Sequence, residues 1–465
     1  MVLSLTSDCK AIERRSFLPG DLIGAVFATD ALLDATSDVA ILEAMLAFEA
    51  ALVRACQDVG LVPDAFADEI VTACDVTSFD IHALARDARG GGNPAIPLVK
   101  ALRSKLSPDA MRWVHLGATS QDVIDSAIVV IAKRVAALIR SDATELCNDL
   151  LDLADVYRTT PMLARTLMQP AIPTTFGLKC ANWAVGLADS LAEFDSAAAG
   201  LSLQFGGPAG SLSGLGDHGV EVSARLAQIL EVPESPLPWH TNRQRIVRFS
   251  SSLVALAGSA AKIAGDIILL SQSEVSELAE RPMGGGGGSS SIPQKANPIL
   301  SVTATACYRT AVGANLTISA AMVQEHERAA GSWHSEWLAL ISLMTSAGTA
   351  VNMVRNAVGS LEIDEAAMIR NLASTAGRSS SEALMALLVE SMDYETAAST
   401  LTRLLEIVNE EKTSLEVVTL RELVGSANIS RERIQLVFDP LLNLGSTQKF
   451  IDRALAIRSS WEGSR

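Results

Sequence analysis

Apolar residues recur at helical spacing along most of this chain. Ile41, Leu42, Met45, Phe48, Leu52 and Val53 share one face, Ser37 or Asp38 stands where a cap is needed, and Gly60 with Pro63 closes the run. This predicts a first helix over about 38–59. A break is expected at Gly90-Gly91-Gly92-Asn93-Pro94, where glycine flexibility and proline oppose a helix. Helical periodicity resumes from Ser126 to about Val156. Farther on, Ile246, Phe249, Leu253, Leu256, Ala260, Ile263, Ile267 and Leu270 alternate at three and four residues, the signature of a long bundle helix. Comparable segments run over 174–200, 299–320 and 334–357.

The pattern predicts an all-α chain: an N-terminal helical domain at 1–110, a central long-helix bundle at 111–360 and a C-terminal helical cap at 361–465, the last built on Leu384, Leu387, Leu388, Leu401 and Leu404. The 246–270 stripe is wide enough to predict that other copies help to cover it, hence a homotetramer. Composition strengthens the helical reading. Hydrophobic residues make up 49% of the 465 but aromatics only 4%, so the core is aliphatic, and alanine lets helices approach closely.

Charge narrows the partners. With 37 basic against 53 acidic residues the net charge is −16, which argues against nucleic acid and anionic membranes. Six scattered cysteines without a CxxC suggest neither zinc nor disulfides, and a reducing cytoplasm. Charges at Asp8, Lys10, Glu13, Arg14 and Arg15 leave no room for a signal-peptide core. The uncharged run 337–354 contains Ser342, Thr345, Ser346, Gly348, Thr349 and Asn352, so it is expected to be a buried helix and not a membrane span.

Candidate chemistry concentrates at 283–298, where five glycines and three serines run into Ile-Pro-Gln-Lys-Ala-Asn-Pro. A flexible linker would share the glycines. A lid that closes over an anion would also want the hydroxyls, the free N–H groups and Lys295. Thr119, Ser120 and Gln121 precede a helix, where donors converge on an anion or simply cap the helix. No histidine set has metal-ligand spacing.

The segment Gly288-Ser-Ser-Ser-Ile-Pro-Gln-Lys-Ala-Asn-Pro298 resembles the GSSxMPxKxNP signature of the fumarase/aspartase superfamily. His115-Leu-Gly-Ala-Thr-Ser-Gln-Asp122 is similar to the first conserved region of that family, and Ala164-Arg-Thr-Leu-Met-Gln-Pro170 to the second. The stretches 93–102, 203–211, 238–243, 324–328 and 333–337 resemble the bacterial branch that lactonizes 3-carboxy-cis,cis-muconate. The loop has Gln294 and Ala296 where that branch usually carries His and Arg.

The resemblance implies a cofactor-free enzyme acting on a small polycarboxylate through an enolate-like intermediate, with active sites shared between subunits of a tetramer. It assigns the base to Ser289 and the hold on the reacting carboxylate to Lys295 and Asn297, with Ser290 and Ser291 as binders. It also brings Thr119, Ser120, Gln121, Thr166 and Gln169 to the substrate. Arg243 is expected as a bidentate carboxylate clamp, or as a structural partner of Glu325 or Glu327, and Arg328 as a second binder. His326 or His334 would supply acid–base chemistry, or sit at an interface. Leu167 occupies the position where fumarase and the amino-group lyases hold a proton-donating His. A carboxylate leaving group, with a pKa of about 4, needs no such donor. The same site therefore fits lactonization or, as the alternative, β-elimination from a substituted succinate such as nitrosuccinate. A catalytically dead scaffold would retain the bundle without the serine–lysine set.

Overall fold

The computed structural model describes residues 21–281, 296–425 and 429–458. Helices dominate these residues, as the periodicity predicts. Helix α1 (Asp38–Asp58) starts at Ser37, whose side chain accepts the N–H of Ala40 at 3.2 Å, and ends before Gly60 in the left-handed region at φ +78°. Its predicted core face is buried at Leu42, Met45, Phe48, Leu52 and Val53.

The glycine run interrupts the chain later than expected. A helix over Ile81–Gly91 passes through Gly90 and Gly91 and stops at Gly92, φ +69°. Glycine within a helix costs only about 1 kcal/mol, whereas the left-handed exit favours it outright.

Five long helices follow: α2 (Ser120–Val156), α3 (Phe176–Ala199), α4 (Gln244–Leu270), α5 (Ile299–Ala320) and α6 (Ser332–Gly359). Helix α2 begins six residues before its apolar period, because its first turn is polar and satisfied by tertiary partners. Between α2 and α3 lies a hairpin that the periodicity misses, with β1 (Pro161–Thr166) antiparallel to β2 (Gln169–Thr175). Its two-residue turn is Leu167-Met168, at φ +49° and +65°, where hairpins of this kind prefer Asn-Gly. Strands β3 (Leu278–Glu280) and β4 (Leu361–Ile363) pair farther on.

The chain packs as two compact units. One comprises residues up to Asp142, Ser190–Ala260 and Thr303–Asn352; the other comprises Ala143–Asp189, Ala261–Val302 and residues from Met353 onward. Within the second, α7 (Ser381–Val389), α8 (Tyr394–Glu411), α9 (Leu415–Leu423) and α10 (Arg431–Phe438) enclose a core of Leu384, Leu388, Leu404, Val408, Leu415 and Ile434.

One inference from the stripe is corrected. Every one of its eight residues on α4, from Ile246 to Leu270, is buried within a single chain, so the stripe itself requires no second copy. Apolar residues that a single chain leaves exposed include Val302, Val312 and Leu316 of α5, Leu338 of α6, Met322 and Val323 between them, and Leu269 of α4. By length and composition α4 and α6 could each cross a membrane. In α6, however, 61% of the most apolar window is already buried against protein, as a core helix requires.

Candidate active site

The loop before α2 is shaped by close backbone approach. Gly117 is left-handed at φ +72°, and a Cβ there would lie 2.5 Å from Leu215 Cγ. A Cβ on Gly207 would meet Gly117 O at 2.7 Å, and one on Gly206 would meet Pro238 Cβ at 2.5 Å. The glycines thus let the segments 115–122, 203–207 and 238–243 converge.

Asp122 is where they meet. Its fully buried carboxylate accepts the N–H groups of Thr119 (2.9 Å), Gly206 (3.0 Å) and Gly207 (2.9 Å), the Gln204 side-chain amide (2.9 Å), and lies 3.0 Å from His240 Nε2. An acid reaching back from the first turn to the cap N–H is half of a capping box, and the positive end of the helix dipole favours it. The Asp122 N–H donates to the Thr119 carbonyl at 2.9 Å and not to the Thr119 side chain, so the Thr119 hydroxyl is not spent on that cap. It accepts Arg328 Nη1 at 2.8 Å and keeps its own O–H to donate.

One turn on, Asp125 and Glu336 hold Arg243. Arg243 Nη1 and Nη2 donate to Asp125 at 2.7 and 3.1 Å, while Nε and Nη2 donate to Glu336 at 3.1 and 2.5 Å. All three side chains are 1% exposed. Burial alone would lower the arginine pKa, but the two carboxylates outweigh it and push it further up; burial likewise raises that of Glu336 against the pull of Arg243. Trp333 Nε1 donates to Asp125 at 2.9 Å and Gln324 Nε2 to Glu336 at 3.0 Å.

Two expected binders are therefore corrected. Arg243 spends its fork on Asp125 and Glu336, not on Glu325 or Glu327, and has none left to clamp a substrate. Gln121 is fully buried, and its amide N–H groups go to His240 O at 2.8 Å and Asp125 Oδ2 at 3.1 Å, so it ties chain segments together. Ser120, half-buried, opens α2 beside Thr119. His326 is exposed and left-handed at φ +46°; its carbonyl accepts the Thr241 hydroxyl at 2.9 Å, which fixes the backbone and leaves the ring outside. His334 is also exposed, its ring 4.8 Å from that of Trp337.

The other predicted residues belong to the second unit. Arg165 makes a bidentate pair with buried Glu277 at 3.0 and 2.8 Å, and Asn371 donates to the same carboxylate at 2.7 Å, which anchors the hairpin just short of its tip. Thr166 and Gln169 pair across the turn and face solvent, and Leu167 is 96% exposed. Asn297 is half-buried and leads into α5, whose first N–H groups at Leu300 and Ser301 are taken by the buried Glu280 carboxylate at 3.0 and 2.9 Å. Ser289, Ser290, Ser291 and Lys295 lie outside the described residues.

A family model described as lyase matches residues 25–313. The chain belongs to this lyase family. A 3-carboxy-cis,cis-muconate cycloisomerase of Bradyrhizobium diazoefficiens is 40% identical over 93% of the chain and 97% of its own length. A nitrosuccinate lyase of Streptomyces davaonensis is 33% identical, over 95% and 96%. The crystal structure of 3-carboxy-cis,cis-muconate lactonizing enzyme from Pseudomonas putida superposes with a TM-score of 0.88 at 36% identity, covering 94% of this chain and 98% of the other.

For this lyase the network has a plain chemical sense. Asp122, Asp125, Glu336, Gln204 and His240 escaped assignment as site residues, although the glycines around Gln204 and the acids at i and i+3 after Thr119-Ser-Gln hint at them. Together they spend the polar groups at the start of α2 on one another, and the Thr119 hydroxyl with its partner Arg328, and half-buried Ser120, lie outside that set.

Proposed function

We propose that this chain interconverts 3-carboxy-cis,cis-muconate and its carboxymuconolactone. In the lactonizing direction a substrate carboxylate oxygen adds to the conjugated double bond. The electron pair moves toward the neighbouring carboxylate, and the resulting enolate-like carbon takes a proton. In reverse, Ser289 removes that proton and the ring carboxylate departs. Lys295 and Asn297 hold the carboxylate that becomes electron-rich, Ser290, Thr119, Ser120, Arg328, Thr166 and Gln169 bind the others, and His326 is the acid–base group held in reserve. The observation that carries the choice is Leu167: an apolar side chain offers no proton to a departing amine or hydroxide, and a carboxylate needs none.

The same leaving-group argument admits nitrite, so elimination from nitrosuccinate is the second reading; the 40% identity to the Bradyrhizobium cycloisomerase, against 33% to the nitrosuccinate lyase, ranks it second. The uncovered apolar residues of α5 and α6 support a homotetramer in which other copies cover them and complete each site. Among the described residues the five cysteines are free, which suits a reducing cytosol.

Direct assay tests the reading, following diene absorbance for lactonization and fumarate absorbance for elimination. Lactonization above background is expected, with none on aspartate, argininosuccinate or adenylosuccinate. Turnover of an amino-substituted succinate overturns the leaving-group argument. Ser289→Ala is expected to lower turnover about a hundredfold or more with thermal stability unchanged; retention of more than about a third moves the base role to His326 or His334.

A further inference from the structure

The second unit carries a cavity of about 530 Å³ between β2, the start of α3, α7 and α11 (Thr447–Leu455). Small-molecule sites commonly measure about 300–1,000 Å³. None of the described residues assigned above to substrate lines it. Its walls are apolar at Ile172 of β2, Leu178 of α3, Ala386 of α7 and Phe450 of α11, and Ile172 and Phe450 are 45% and 50% exposed.

Two nine-residue helices begin at this cavity. Ser380 is the N-cap of α7 and Ser446 that of α11, and neither side chain caps its helix. Ser380 is 7% exposed and lines the cavity, yet its hydroxyl has no hydrogen-bond partner among the described residues. A buried hydroxyl left unpaired is destabilising, and a ligand oxygen that takes its proton relieves that cost. The partial positive charge of a helix N-terminus favours an anion at the same place.

Other lining groups ask for a cation. Glu382 stands in the first turn of α7, exposed and without an ion-pair partner among the described residues. Asn443 Nδ2 donates to the carbonyls of Leu436, Val437 and Asp439 at 3.0, 3.0 and 2.9 Å, which fixes the amide and leaves Oδ1 an acceptor without a donor among the described residues. No Lys, Arg or His is among the described residues that line the cavity. An anion alone would therefore meet Glu382 uncompensated, and a cation alone would meet two helix N-termini. A molecule with both charges suits both sets. Glu382 follows Ser380 by two residues, about 3 Å along the helix axis, so the two charges must lie close together, as they do when an ammonium and a carboxylate share one carbon.

We propose that this cavity binds a free α-amino acid with an apolar side chain. The carboxylate meets the N-terminus of α7 and accepts the Ser380 hydroxyl, the ammonium donates to Glu382 and Asn443 Oδ1, and the side chain lies against Ile172, Leu178 and Phe450. The site does not depend on the polycarboxylate chemistry above.

Calorimetric titration of the full-length protein with L-phenylalanine tests this, beside 3-phenylpropanoate, which lacks the ammonium, and 2-phenylethylamine, which lacks the carboxylate. L-Phenylalanine is expected to bind with a Kd of about 1 mM or below, and each analogue about tenfold more weakly, the loss of one charged hydrogen bond. Glu382→Gln is expected to weaken L-phenylalanine about tenfold and to erase its advantage over 3-phenylpropanoate; Ser380→Ala is expected to weaken it about as much and to narrow its advantage over 2-phenylethylamine. Ala386→Phe sets a ring into the cavity from an exposed position and is expected to abolish binding with the melting temperature near that of the wild type. Absence of L-phenylalanine binding at about 10 mM overturns the site, as does binding that survives in Ala386→Phe. An analogue that binds as tightly as L-phenylalanine overturns the amino-acid reading in favour of a simple anion or amine site. Unchanged affinity in both Glu382→Gln and Ser380→Ala overturns the placement of the two charges.

Discussion

The first turns of α2 and the tip of the β1–β2 hairpin both carry polar motifs that the sequence marks as substrate-facing, and they handle them in opposite ways. At α2 the polar groups are buried and hold one another: Asp122 takes five donors, Arg243 gives its N–H groups to two acids and the His240 carbonyl, and Gln121 faces inward. At the hairpin the anchoring pair Arg165–Glu277 stops one residue short of the tip, and Thr166, Leu167 and Gln169 stand in solvent. The first region is a frame whose few outward donors are aimed by what lies beneath. The second is a presented edge, rigid at its root and bare at its end. A motif therefore does not say whether its residues touch substrate or support those that do.

Four variants test this contrast. The largest effect is expected from Arg243→Met, which leaves Asp125 and Glu336 facing each other without a cation; such a loss costs about 3–5 kcal/mol, readable from urea denaturation at pH 7.5. The two acids would then favour their protonated forms in the folded state. A carboxyl whose folded pKa exceeds its unfolded value loses stability as pH rises above the unfolded value, so this variant is expected to be more stable at pH 5.5 than at pH 8. A wild-type-like midpoint would mean that the triad is not a frame.

Asp122→Asn keeps the shape but places an amide N–H against donors it cannot accept. A loss of about 1–3 kcal/mol is expected, readable from urea denaturation, as the α2 loop loosens. Arg328→Gln removes a cation from a half-buried, outward position. It is expected to leave the melting temperature nearly unchanged while raising KM about tenfold; a fall in stability without a change in KM would move Arg328 into the frame.

The smallest effect is expected at the hairpin. Replacing Leu167-Met168 by Asn-Gly relieves two bulky left-handed residues, which is expected to raise stability by about 1 kcal/mol. A lower melting temperature would show that the exposed leucine and methionine are covered by something in solution, and sedimentation of the same variant would report whether that cover is another copy.

Much of this was legible from residues alone. Periodicity located the five long helices because a 3.6-residue repeat is a local property, repeated often enough to outweigh noise. It placed α2 six residues late because the first turn has no apolar period, only side chains whose partners come from 203–207 and 238–243. The hairpin was invisible for a related reason: Leu-Met is not a turn sequence, and only tertiary anchoring at Arg165 and Glu277 makes it one.

Signature residues identified the lyase family, since spacing within a short motif survives as sequence. Their division of labour did not, because Thr119, Gln121, Arg243 and Arg328 are all polar residues in marked positions, and nothing in the residue type tells which is buried. Sequence by itself determined the helices, the aliphatic core and the chemical inventory of the site. The tertiary structure decided which polar groups are spent on one another and which are left over, because a hydrogen bond between Asp122 and Gly206, 84 residues apart, depends on the folding of everything between them.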